Sequence, residues 1–350
     1  MQAKGQYLVP LTKFCFDMKR IALIIVLLAL YIQGFTQVDA NAQKFAKVVN
    51  AADMKKLVKA LASKKFEGRE SGTEGQQKAA NFIRRFYKKN NVEPGNGDSY
   101  FQEFEVKERS GVSGGMSSNV LGYIEGTDKK SEVLVISAHY DHLGKDGKDI
   151  YYGADDDASG TAAIMLIAKA FAKATGAGYQ PRRSILILND SGEEKGLLGS
   201  KYYVENPVFP LENTVADLNV DMIGRIDSAH IGDTNYVYLI GSDKLSYDLH
   251  FISEKSNSMY TNLNLDYTFN SDTDPNRFYY RSDHYNFAKN NIPVIFYFSG
   301  VHADYHQPTD TYDKILYDKA TKIAHLVFYT AWNIANRDDR PVLDTPIDKK

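Results

Sequence analysis

The spacing of apolar residues along the chain divides it into elements. Over residues 44–64 apolar side chains recur every three or four positions (Phe45, Val48, Val49, Met54, Leu57, Val58, Leu61), and over 75–90 they do so again (Ala79, Ala80, Phe82, Ile83, Phe86, Tyr87). That period marks amphipathic helices. Beyond residue 130 the pattern changes to short, nearly unbroken apolar runs. Residues 132–138 (EVLVISA) and 184–189 (SILILN) are too short for buried helices and suit strands covered on both faces. Strand patterns follow at 218–223, 236–240 and 293–299, with helical patterns at 158–174, 195–206, 282–290 and 313–336. Strands separated by helices imply βαβ units. The expected fold is α/β, a single three-layer domain with a mostly parallel central sheet flanked by helices. No internal repeat or low-complexity linker breaks the pattern.

The N-terminus departs from it. Residues 21–32 (IALIIVLLALYI) are twelve apolar residues in a row, preceded by Lys19-Arg20 and followed by Ala40-Asn41-Ala42. A basic start, a short apolar core and an A-x-A site describe a secretory signal peptide. The run is shorter than the roughly 20 residues of a transmembrane helix. Residues 1–42 are therefore expected to be a targeting segment, with Met18 as the true start, and 43–350 one domain exported to the periplasm or the medium. Cys15, the one cysteine, precedes the apolar run and so is not a lipid-bearing cysteine. Neither a disulfide framework nor a thiolate zinc site is available.

Charge narrows the partners. The chain has 42 basic and 44 acidic residues, with no basic excess for phosphate contacts, so nucleic acid is not an expected partner. Ligands of parallel sheets bind beyond the carboxyl ends of the strands, and imidazoles and carboxylates gather there. His139-Tyr140-Asp141 follows the first strand. Asp155-Asp156-Asp157 opens the helix at 158, Glu193-Glu194 is expected to open the next helix, Asp221 lies in the third strand region, and His306 follows the fifth. Each has an ordinary explanation alone. Asp favours helix N-caps, and Glu suits a first helical turn. A lone carboxylate within an apolar strand, such as Asp221, is costlier without a partner. Taken together, imidazoles and carboxylates without thiols suit zinc or a similar divalent ion in an open hydrolytic site. Two His and three carboxylates can hold two ions if one carboxylate bridges them, a recurring hydrolase device. Any of the three consecutive Asp could be that bridge.

The blocks SAHYDHLG, GADDDASG, GEEKGLLGS, NVDMIGR and YHQPTDT, in this order, resemble the co-catalytic di-zinc aminopeptidases of the bacterial leucyl aminopeptidase type, in peptidase clan MH. Glutamate carboxypeptidase and the glutaminyl cyclases are relatives. FEGRESGTEGQQKAANFI at 66–83 is similar to the family's entry segment, so the likeness spans roughly residues 60–335. The resemblance implies a zinc-aminopeptidase fold and two zinc ions. His139 and Asp221 would hold one ion, Glu194 and His306 the other, and Asp156 would bridge them, with a cis peptide between Asp156 and Asp157. It further implies that Asp141 orients His139, that Glu193 is the general base and acid, that Tyr279 stabilises the oxyanion, and that Asp283 and His284 are supporting residues. The substrates would be peptides with a free N-terminus, trimmed one residue at a time, with residues 260–281 as the candidate specificity wall. A glutaminyl cyclase would lack His139 and carry Trp where Tyr305 stands. A carboxypeptidase of the clan would carry extra domains. A non-catalytic binding module would have lost ligands.

One test belongs to the sequence alone. Sequencing of the exported protein is expected to begin downstream of residue 32, and a precursor that begins at Met1 overturns Met18 as the start.

Overall fold

The computed structural model describes residues 38–107 and 113–347. Cys15, Met18 and the apolar run at 21–32 lie outside the described residues. No helix among the described residues is long and apolar enough to cross a membrane.

A nine-stranded mixed sheet forms the middle layer. Its strands are β1 (Glu93–Pro94), β2 (Phe101–Lys107), β3 (Ser113–Ile124), β4 (Lys129–His139), β5 (Arg183–Asp190), β6 (Thr214–Val220), β7 (Tyr236–Ile240), β8 (Asn264–Asp266) and β9 (Val294–Phe298). The order across the sheet is β1-β3-β5-β4-β6-β9-β7-β8, with β2 also paired to β3. The centre, β5-β4-β6-β9, is wholly parallel. Hence the carboxyl ends of four strands meet at one edge, where His139, Asp190 and Asp221 emerge.

The central strands are apolar on both faces, and the alternation of side chains assigns each residue to a layer. Leu134, Ile136, Ile185, Ile187, Ile295 and Tyr297 enter one core. Val133, Val135, Leu186, Leu188, Phe296 and Phe298 enter the other. The first face is covered by α1 (Ala40–Ala46), α2 (Ala51–Leu61), α3 (Glu74–Lys89), α4 (Ala158–Gly176), α6 (Tyr247–Ser256) and α8 (Tyr317–Asn336). The second is covered by α5 (Leu198–Glu205) and α7 (His284–Ala288). Helix α4 is buried along nearly its whole length, which its Ala-rich sequence allows by letting neighbours approach closely. Ala40-Asn41-Ala42 forms the first turn of α1, where Ala42 is buried.

Several expected boundaries move. The third strand is Thr214–Val220, not 218–223: the chain leaves the sheet at Asp221, and Met222 adopts φ +53°. Glu193 and Glu194 do not open a helix. Gly196 (φ +105°) and Leu197 (φ +59°) break the chain, their N–H groups bond to the Glu193 carbonyl, and α5 begins at Leu198. The antiparallel strands β1 to β3, the short β8 and helix α6 have no counterpart in the expected series. In β3 the stretch SGGMSSN has too few apolar side chains to signal a strand.

Two arginines tie the layers together. Arg183 donates to the carbonyls of Ile334, Arg337 and Asp338 and fastens the end of α8 to the sheet. Arg69 is fully buried and donates to four carbonyls: Tyr140 (2.7 Å), Leu61 (2.8 Å), Tyr152 (2.7 Å) and Gly153 (2.9 Å). It thereby closes residues 140–153 into a loop whose two ends carry the His139 and Asp156 segments.

Replacing Arg69 by Met is expected to lower stability by about 3 kcal/mol or more, since buried carbonyls lose their donors; chemical denaturation measures it. A smaller effect carries a pH signature. Lys169 Nζ bonds Asp53 Oδ2 at 2.9 Å across α2 and α4, and holds the Asp53 carboxyl down at about 2. That stabilisation is fully present above the unfolded-state value near 3.9 and is lost as pH falls toward 2. Asp53→Asn is therefore expected to cost about 0.5–1 kcal/mol at pH 7 and nothing near pH 2.

Candidate metal centre

His139 is the last residue of β4, so its direction is set by the strand, and Thr161 of α4 donates to its carbonyl at 2.7 Å. Its Nε2 stands 3.2 Å from Asp156 Oδ1 and 3.6 Å from Asp221 Oδ1. His306 approaches from the loop after β9, with φ +55°, and its Nε2 lies 3.1 Å from Asp156 Oδ2 and 3.2 Å from Glu194 Oε2. The two oxygens of Asp156 thus face two different imidazoles. All five residues expected to ligate are brought together.

The three consecutive Asp side chains diverge. Asp155 turns inward, accepting from Gly224 N at 2.6 Å, with His302 Nε2 3.3 Å away. Asp157 caps α4, accepting from Gly160 N at 2.8 Å and Met222 N at 3.1 Å. Only Asp156 points at His139 and His306. The Asp156–Asp157 peptide is cis, as the resemblance implied. Asp310, which the sequence reading did not single out, cradles the turn: its carboxylate accepts from Asp155 N (2.9 Å) and Asp156 N (3.2 Å).

Supporting contacts come from several segments. Ser282 Oγ donates to Asp221 Oδ2 at 2.8 Å and is itself bonded by Asn219 Nδ2 at 2.8 Å. Asp141 stands 3.6 Å from His139 Nδ1, beyond a hydrogen bond. It instead accepts from Ser71 Oγ (2.9 Å) and weakly from Glu193 N (3.3 Å), tying the first strand end to the Glu193 turn. Asp283 is buried and accepts from Ser200 Oγ. His284 is buried against Phe296, and burial pushes its imidazole down to about 3, so it is neutral.

Two outcomes differ from the expectation. Tyr279 is not among the residues lining the cleft and packs beside Gly241, Lys244 and His284, on the side of the 271–280 loop. Arg277, at φ +55°, leads into a 3-10 turn over Phe278–Tyr280, and Phe278 of that turn lines the cleft. The tyrosine at the cleft is Tyr305, whose ring stacks on His306 at 3.8 Å. The second outcome is an imidazole not foreseen, His142, whose Nδ1 lies 2.8 Å from Glu194 Oε1 and 3.8 Å from Asp156 Oδ2. Its signal was present in the sequence, as the second histidine of HYDH.

The electrostatics follow from burial. Burial alone would strip the proton from His139, but the carboxylates of Asp221, Asp141 and Asp156 outweigh it and hold the imidazole well above its ordinary value. Burial works against ionised Asp156, yet His142, His139 and His306 keep it well below the usual carboxylate range. His306 is driven up to about 10, because the carboxylates of Asp156 and Glu194 outweigh its own burial. At Glu193 the balance is reversed: burial outweighs the opposing pull of the His139 imidazole. Burial, with Glu194 nearby, pushes its carboxyl well above the ordinary glutamate value.

These residues fit a pair of divalent ions. Donors on one tetrahedral zinc, with bonds of about 2.0–2.2 Å, stand roughly 3.3–3.6 Å apart, close to the four separations around His139 and His306. Asp221 Oδ1 and Glu194 Oε1 are buried without a hydrogen-bond donor. Two donor groups, His139-Asp156-Asp221 and His142-Asp156-Glu194, share Asp156. Beside them opens a cleft lined by His139, Asp156, Glu193 and Asp221, with Met222, Phe278, Phe296, Phe298 and Val301 as apolar wall and Arg281 and Tyr305 as polar contacts.

Comparison with known proteins agrees with this picture. A probable zinc metalloprotease of Pyrenophora tritici-repentis is 38% identical over 110 residues, 31% of this chain and 22% of that protein. The probable glutamate carboxypeptidase LAMP1 of Arabidopsis thaliana is 38% identical over 104 residues, 29% of this chain and 14% of that protein. The matched stretch is thus a minor part of each relative's length. In fold, the chain is similar to the LapA aminopeptidase of Legionella pneumophila, with a TM-score of 0.67 at 22% identity, covering 87% of this chain and 77% of that one. The sequence pattern of Peptidase family M28 matches residues 119–331, which is more than half of the chain and contains every residue of the metal centre, and the chain belongs to that family.

Proposed function

We propose that this protein is an exported di-zinc aminopeptidase. One observation carries the reading. Glu193 lines the same cleft as His139, Asp156 and Asp221, while its neighbour Glu194 turns away toward His306. One carboxylate is therefore free for proton transfer beside a centre that the other helps to build. His139 with Asp221 and Glu194 with His306 would hold the two ions, and Asp156 would bridge them. Bound there, zinc polarises a carbonyl and acidifies water.

The chain's own groups then have distinct tasks. Glu193 takes a proton from the attacking water and returns it to the leaving amine. Burial raises its carboxyl above the ordinary glutamate value, which makes it a stronger base than an exposed glutamate. Asp141 steadies the Glu193 backbone and Ser282 holds Asp221 in place. Tyr305, whose ring packs on His306, replaces Tyr279 as the phenol able to donate to the developing oxyanion. Met222, Phe278, Phe296, Phe298 and Val301 favour an apolar first residue in the substrate. Export rests on residues 21–32 alone.

A second reading has its own observation. Arg281 in the cleft lining could receive a carboxylate, which suits a carboxypeptidase-like relative.

The experiment uses one peptide with an apolar first residue, supplied with a free or an acetylated N-terminus. Stepwise loss of single residues from the free form only is the expected result by mass spectrometry. Trimming from the other end favours the second reading, and loss of ammonia alone from a glutaminyl N-terminus points to a cyclase. Glu193→Gln is expected to keep its zinc and lose about 10²–10⁴-fold in kcat; unchanged kcat removes Glu193 from the proton-transfer role.

A further inference from the structure

His142 is a buried imidazole with no assigned task. It is 1% exposed, and neither ring nitrogen has a hydrogen-bond partner. Such a group is rare, because an unpaired polar atom shut away from water is costly. Its Nδ1 is nevertheless 2.8 Å from Glu194 Oε1, which is itself without a donor. At that distance, with neither atom in a well-aligned hydrogen bond, a shared cation would satisfy both. Donors at right angles about one ion with bonds of about 2.1 Å stand roughly 3.0 Å apart, and wider angles spread them further. The separations of 2.8 Å to Glu194 and 3.8 Å to Asp156 Oδ2 bracket that range.

The backbone makes room for this ring. Gly153, at φ +52°, lies against it, and a Cβ there would stand 2.5 Å from His142 Cγ. Arg69 bonds the Gly153 carbonyl on the other side, so the ring cannot swing away without opening the loop. His306 approaches the same carboxylates from the opposite side, its ring 5.8 Å from that of His142 at 68°.

We propose that His142 is a sixth protein ligand of the metal centre, completing the position held by Glu194 and His306. The two positions are then unequal. One has three protein donors, His139, Asp156 and Asp221, all lining the cleft; the other has four, Asp156, Glu194, His306 and His142. A site with three protein donors keeps a place for water or substrate, whereas four protein donors close a tetrahedral site. Exchange with solvent and substrate is confined to the His139–Asp221 position, and the His142 position is an anchoring one.

This inference rests on the dinuclear reading, and the experiment separates the two. Apo-protein is titrated with zinc in competition with a chromophoric chelator, and with Co²⁺ while its visible absorption is followed. Wild type is expected to bind two equivalents. His142→Ala is expected to keep one at wild-type affinity and to weaken the other by more than about 100-fold, beyond what loss of a merely orienting partner causes, with a changed Co²⁺ spectrum. His142→Asn, which can still donate to Glu194, is expected to behave like the alanine variant. Two equivalents with an unaltered Co²⁺ spectrum in His142→Ala, or recovery of affinity in His142→Asn, overturns the inference. Failure of wild type to bind two equivalents overturns the dinuclear reading beneath it. Circular dichroism and melting of each apo-variant show that the fold is retained.

Discussion

Negative charge crowded at one edge of the sheet is the constraint around which this molecule is arranged. Asp141, Asp155, Asp156, Asp157, Asp190, Asp221 and Asp283 are all buried there, and Glu193 and Glu194 join them. Isolated buried carboxylates are prohibitively costly, so each must be hydrogen-bonded, protonated or matched by a cation. All three solutions occur. Asp157 Oδ1 and the Asp310 carboxylate accept from backbone N–H groups. Burial raises both Asp190 and Asp283, the latter to about 6, which favours the protonated form over a buried charge. Asp156 is ringed by three imidazoles. The residue of uncompensated charge beside an open cleft is what makes cations the natural occupants.

The scaffold serves this edge by direction rather than by rigidity alone. Four parallel strands deliver their carboxyl ends together, but Asp221, Glu193 and Glu194 lie one to four residues beyond those ends, and Asp156 further still, in turns. Turns must be held from outside. Arg69 does this for residues 140–153 through three of their carbonyls, and Asp310 does it for 155–156 through backbone N–H groups. The two devices have opposite charge because they grip opposite ends of peptide dipoles. Both lie far in sequence from what they hold.

A run of three Asp shows how neighbouring identical residues separate into different roles. The backbone turns between them, so one side chain reaches Gly224, one the imidazoles and one the start of α4. Adjacent Glu193 and Glu194 divide in the same manner, one toward the cleft and one toward His306. Fold similarity at 22% identity accounts for the architecture. The chemistry depends instead on these few directions, which a small shift of the 154–157 turn would undo.

Much of the fold was legible in the chain itself. Residues 133–138 and 185–188 are apolar at every position or nearly so, which only a doubly covered strand requires, and the parallel centre followed. The antiparallel strands were not legible, because β3 is made of Gly and Ser at its start and draws its pairing from neighbours. The motifs identified His139, Asp156, Glu193, Glu194, Asp221 and His306, because order and chemical type survive in one dimension. The direction of Tyr279 and the place of His142 were not legible for one reason. Which way a loop side chain points depends on contacts with distant residues: Gly241 and His284 for the tyrosine, Gly153 and Glu194 for the histidine. Sequence determined the donor types and the sheet edge to which they belong. Tertiary packing alone decided which donors meet, since hydrogen bonds and coordination act over about 3 Å while the residues that supply them are up to roughly 170 positions apart.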